Sequence, residues 1–238
     1  MKIYYIYHSS FIVETDSSYL IFDYYKAKNS GDFDFDKLLN NILCSGKKVY
    51  VFASHSHSDH YNNRILNWNN NSLTYILSDD IRVNGYIKNM YFIKEKQELE
   101  IDGASIKAFN STDCGISFMV KIDGLILFHA GDLNWWKWND DTEEEALEME
   151  NSFKSVISDI KRCNVQIDAA FFPVDHRLEE NYYCGGEYFI ETLHPKIFIP
   201  MHFDDNCSIT YDFKNSQDIK NSYTHIIAIN HANELLIH

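Results

Sequence analysis

Three imidazoles and a carboxylate fall within six consecutive residues, His55-Ser56-His57-Ser58-Asp59-His60. Imidazole nitrogen and carboxylate oxygen are the donors that zinc and neighbouring divalent cations take. A polar surface loop that collects histidines by chance is the poorer explanation of so dense a run. In a tight loop, positions two apart can point the same way, so His55 and His57 are expected to hold one ion while Asp59 and His60 turn toward a second. The intervening serines add little bulk. Two bound cations would activate a water for attack on an electrophilic carbon or phosphorus and stabilise the oxyanion that develops. Asp59 is then expected to orient that water or help take its proton.

The loop must be presented by rigid elements. Directly before it stands Val49-Tyr50-Val51-Phe52-Ala53, a run apolar enough to be a strand buried on both faces. Such strands deliver their carboxyl ends to a shared crevice. Further β-branched and aromatic runs predict strands over 2–7, 11–14, 19–22, 48–53, 73–76, 91–92, 105–109, 116–122, 125–128, 169–172, 197–200, 224–229 and 234–237. Helices are expected over 35–43, 62–68, 142–162, 186–193 and 216–221. The longest opens with Thr142 before Glu143, Glu144 and Glu145, acids that suit the positive end of a helix. Strands in runs with helices interposed predict an α/β fold of sheets packed between helices. No linker or repeat is visible, so one domain over 1–238 is expected, with two loosely similar halves at about 1–122 and 123–238.

Composition narrows the function. Thirty-five acidic residues face 21 lysines and arginines, a formal charge of -14 in 238 residues, which repels a phosphate backbone and argues against nucleic acid. The N-terminus has no basic region leading into an apolar stretch, and no apolar run approaches the roughly 20 residues needed to cross a bilayer. Cys44, Cys114, Cys163, Cys184 and Cys207 are odd in number and scattered, which indicates neither a disulfide framework nor a zinc knuckle. A cytoplasmic protein without a membrane partner is expected, and a homo-oligomer stays open.

His55-Ser56-His57-Ser58-Asp59-His60 resembles the H-x-H-x-D-H signature of the metallo-β-lactamase superfamily, and the resemblance extends over nearly the whole chain. Asp23, after Leu20-Ile21-Phe22, looks like the family's early structural aspartate. Phe128-His129-Ala130-Gly131-Asp132 looks like the turn with the metal-bridging aspartate, and Ile199-Pro200-Met201-His202 like the strand end with the last histidine ligand. The segment from Pro173 to His202 is similar to the branch of ascorbate-phosphate lactonase-like proteins. The resemblance implies a four-layer αββα sandwich, two mixed β-sheets packed face to face with helices outside. It also implies two divalent ions, zinc foremost with manganese or iron as alternatives, held by His55, His57, Asp59, His60, Asp132 and His202. Asp59 and Asp132 would be the catalytic carboxylates. The sequence departs from the better-known members in one respect: no histidine occurs from Tyr61 through Phe128. Asp113 could substitute as an oxygen ligand, or a water could take that place.

Around this core, His8 and His129 read as residues that support the ligands. Asp175-His176-Arg177 follows a strand. Arg177 could grip an anionic group and His176 could protonate a leaving group, or the loop could be solvated with a salt bridge to Glu179 or Glu180. Trp135, in Trp135-Trp136-Lys137-Trp138, could wall a substrate pocket or cap the core. The expected function is hydrolysis of an ester, lactone or phosphoester of a small, anionic metabolite. A diiron oxidoreductase and a non-catalytic metal- or ligand-binding protein are the competing readings.

Overall fold

The computed structural model describes residues 1–27, 33–68, 72–216 and 223–237. They form two compact units, Met1–Ile93 with Asn230–His238, and Lys94–Ile229. The change of unit falls at Ile93/Lys94 rather than near residue 122, because the antiparallel strands that follow residue 94 pair with later strands and not with earlier ones.

In the first unit β1 (Lys2–Tyr7), β2 (Ser10–Glu14) and β3 (Ser18–Phe22) form an antiparallel meander. Helix α1 (Phe35–Leu43) leads to β4 (Lys48–Ala53), β5 (Leu73–Ser78) and β6 (Met90–Ile93), which continue the sheet in parallel from β3. A parallel interior needs apolar residues on both faces, and residues 49–53 are all at most 1% exposed. The Asp34 carboxylate caps α1 by accepting the Lys37 amide at 3.0 Å. Phe35, Leu39 and Ile42, spaced along one face of the helix, join Val49, Val51 and Trp68 in the core. The last strand, Glu234–Ile237, returns to pair with β1.

The second unit repeats this pattern of antiparallel and parallel pairing. Strands β7 (Glu98–Ile101), β8 (Ala104–Asn110), β9 (Ile116–Ile122) and β10 (Leu125–His129) are antiparallel. After α2 (Glu143–Lys161), β11 (Ala169–Pro173), α3 (Cys184–Leu193), β12 (Ile197–Met201), α4 (Ser208–Asn215) and β13 (His225–Ile226), the parallel half is complete. Thr142 and Glu145 close a capping box at the start of α2. Phe189 of α3 packs on Phe128 and Phe172, with ring centroids 5.3 and 4.7 Å apart.

Among the described residues each sheet therefore has seven strands, in the orders β14-β1-β2-β3-β4-β5-β6 and β13-β12-β11-β10-β9-β8-β7, where β14 is Glu234–Ile237. The expected segment 62–68 is a 3-10 turn, Asn63–Asn67. Strand β7 and helix α4 lie where no element was expected, and strand 224–229 shortens to β13. The expected helix 216–221 falls, apart from Ser216, outside the described residues.

Candidate metal centre

Asp23 follows β3 directly, and the histidine-rich loop follows the neighbouring β4. With φ of +44°, Asp23 turns its carboxylate back toward that loop. Ser54 donates to it twice, from its amide to Oδ1 and from its hydroxyl to Oδ2, both at 2.7 Å. The Asp23 Oδ2 also stands 2.7 Å from His60 Nδ1, with both side chains fully buried. A carboxylate can only accept, so His60 Nδ1 carries a proton, and in the neutral ring Nε2 is the lone-pair nitrogen. Ser54 Oγ, 3.0 Å from His55 Nδ1, extends the same orientation to His55.

The first unit thus packs imidazoles against one another. The ring of His60 lies 4.2 Å from that of His55 and 5.5 Å from that of His8. His8, Asp59 and His60 bring ligand atoms within 4.8 Å of one another, with His8 Nε2 3.6 Å from Asp59 Oδ2. His8, expected only to support the ligands, therefore stands among the donors. His57 is exposed and meets the His55 ring at 4.6 Å, but it joins no cluster of three donors among the described residues. Asp80, after β5, accepts the Ser56 amide at 2.9 Å. Burial raises its pKa, but the bonds from Ser78 and Ser56 outweigh that and hold it below the ordinary value. Sequence reasoning passed over Asp80; its place just beyond a parallel strand was the available signal.

The second unit builds an equivalent device. Asp175 follows β11 and His202 follows β12, again with positive φ at the histidine (+66°). Asp175 Oδ2 stands 2.8 Å from His202 Nδ1, and the Nε2 faces Asp132 Oδ1 at 3.3 Å. Two electron-pair donors that close attract each other only around a shared cation, a proton or a metal. Asp132 is carried by a turn after β10 in which Gly131, at φ +55°, donates its amide to His129 Nδ1 at 3.2 Å. Buried His129 thus takes a hydrogen bond from the turn that carries Asp132. Burial raises the Asp175 pKa, but His202 and Arg177 outweigh it and hold the carboxyl well below its usual range.

Arg177, Trp135 and Asp113 are placed as follows. Arg177 makes no ion pair with Glu179 or Glu180 among the described residues. Its Nε donates to both oxygens of Asp175, at 2.9 and 3.0 Å, and its Nη2 to Oδ2, because the buried Asp175 charge needs a counter-ion. Trp135 packs on Phe153 and Tyr188, at 6.0 and 6.2 Å between centroids, while Trp136 and Trp138 line the adjoining cavity. Asp113 lines that cavity too, and it joins no cluster of three donors among the described residues. His176 is half-buried at the head of the 3-10 segment His176–Asn181.

In both units the donors are imidazoles and carboxylates oriented by buried partners, which is the donor chemistry a divalent cation requires.

The model of the beta-lactamase superfamily domain matches residues 2–148, and the chain belongs to that superfamily, whose metallo-β-lactamase members use divalent metals. No curated protein matches the chain. Among solved structures, the metallo hydrolase Igni18 from Ignicoccus hospitalis KIN4/I is 14% identical, with a TM-score of 0.67 over 100% of this chain and 98% of its own. The isothiocyanate hydrolase from Delia radicum gut bacteria is 13% identical, with a TM-score of 0.60 over 100% and 99%. The diiron β-hydroxylase CmlA from Streptomyces venezuelae is 9% identical, with a TM-score of 0.64 over 100% of this chain and 54% of its own. At such identities the likeness is one of fold, the metallo-β-lactamase fold.

Proposed function

We propose that the chain is a metal-dependent hydrolase acting on an ester, lactone or phosphoester bond of a small molecule, with His55, His57, Asp59, His60, Asp132 and His202 as the ligands of two divalent ions. The observation that carries this reading is the pair of buried carboxylate–imidazole contacts, Asp23 with His60 and Asp175 with His202, at 2.7 and 2.8 Å. Each fixes the tautomer and aim of a ligand histidine, an arrangement that raises ligand basicity. When bound, such ions lower the pKa of a coordinated water toward neutrality and steady a developing oxyanion.

The chain's own part is positional and acid–base. Asp59, its side chain 41% exposed, holds and orients a water or its proton. The cationic side chain of Arg177 keeps Asp175 ionised, so that His202 presents Nε2 beside Asp132. Zinc is the metal proposed, and the six ligands include two carboxylates, which leaves manganese and iron open. That donor set, with no histidine between 61 and 128, also supports a second reading as a diiron oxidoreductase, which bound iron with visible absorption would favour.

The test is an assay of metal-restored protein against p-nitrophenyl phosphodiesters, lactones and thioesters. Turnover that Asp132→Ala lowers by two orders of magnitude or more is expected. Turnover of none, or an Asp132→Ala protein as active as the parent, would refute the reading.

A further inference from the structure

Beside the turn that carries Asp132, the second unit holds a cavity of about 590 Å³. Trp136 and Trp138 line it, their rings parallel within 8° and 6.1 Å apart. Trp136 ties it to the donors: its Nε1 donates to the Asp132 carbonyl at 2.9 Å, and its ring stands edge-on to His202 at 5.5 Å.

The charge around this aromatic wall is mostly negative. Five carboxylates line the cavity against a single lysine, Lys96. Three of the five are engaged: Asp141 accepts the Trp138 amide, Glu145 closes the capping box and Asp159 pairs with Arg162. Asp113 and Glu148 make no side-chain hydrogen bond or ion pair among the described residues. Aromatic faces and surplus carboxylate together attract an organic cation. The neighbouring indole has this chemistry satisfied from within, since Lys154 Nζ lies 4.9 Å from the Trp135 ring centroid. No lysine or arginine stands in this way over Trp136 or Trp138 among the described residues.

We propose that this cavity binds the ammonium-bearing end of the substrate, with Trp138, Asp113 and Glu148 selecting for positive charge. The word substrate rests on the hydrolase reading above; the cation site itself is tested without turnover. Choline and its uncharged isostere 3,3-dimethylbutan-1-ol are titrated into the full chain and followed by ligand NMR. Saturable choline binding at least tenfold tighter than the isostere is expected. Trp138→Ala and the double variant Asp113→Asn/Glu148→Gln should each weaken it tenfold or more, with folding checked by circular dichroism. Absent choline binding, equal binding of the two probes, or folded variants that bind choline as the parent does would overturn the proposal. Loss of the hydrolase reading with choline selectivity intact would leave the cation site standing, and the reverse result would remove it alone.

Discussion

Asp23 illustrates how much one buried charge can organise. Its two oxygens take the Ser54 amide, the Ser54 hydroxyl and the His60 ring, all at 2.7 Å. Asp23→Asn keeps the shape but no longer fixes the His60 tautomer, so metal affinity is expected to fall about 10–100-fold, read by competition with a chromophoric chelator. Unchanged affinity would show that His60 needs no such partner. A second residue makes a claim about pH. The Tyr75 phenol, buried and donating to the Ile65 carbonyl at 2.9 Å, is pushed up to about 12 by desolvation. A group whose folded pKa exceeds its unfolded one, about 10 for tyrosine, adds stability that is complete below that unfolded value and lost as pH rises toward 12. Urea unfolding across this window should therefore show falling stability. Tyr75→Phe should cost about 1 kcal/mol at neutral pH and flatten part of the alkaline decline, Tyr19 keeping its own share.

At the scale of elements, the strand ends decide what can meet. Asp23, His55, Asp175 and His202 all come within two residues of the carboxyl end of a parallel strand, the position where open α/β sheets place their ligands. This was legible in the sequence, because long apolar runs such as 49–53 ending in polar residues mark such strands. The aromatic segment 135–138 was legible only as a cluster, since which indole faces α2 and which the cavity depends on the backbone path after Gly131. The engagement of Arg177 was hidden for a similar reason: Asp175 is two residues away, and only the 3-10 turn brings them into bidentate contact. Helix α3 adds a packing constraint. A Cβ on Gly185 would lie 2.0 Å from Asn134 Oδ1 and 3.0 Å from the Trp135 amide. Gly185→Ala is thus expected to cost about 1–3 kcal/mol and to disturb the turn carrying Asp132. Asn134→Ala in the same chain should recover part of that loss, a coupling measurable by a double-mutant cycle; strict additivity would show that the two residues do not press on each other.

Among the described residues the chain forms two mixed seven-stranded sheets of like pairing pattern, each with a carboxylate–imidazole pair at its strand ends. The H-x-H-x-D-H loop and the family resemblance pointed to this fold, and the family match over residues 2–148 and the structural likeness over the full chain agree with it. The division at Ile93/Lys94 was less legible, because β7 is a short run of alternating charged and apolar residues, Glu98–Ile101, that signals no sheet of its own. Among the described residues no helix is long and apolar enough to cross a membrane. Elemental analysis of protein purified without chelator shows whether the donors of both units are metal ligands. Two divalent ions per chain, falling below one in His60→Ala and in His202→Ala alike, is the predicted result. A chain that carries no metal after restoration, or one whose metal content neither substitution changes, would mean that these donors hold no metal.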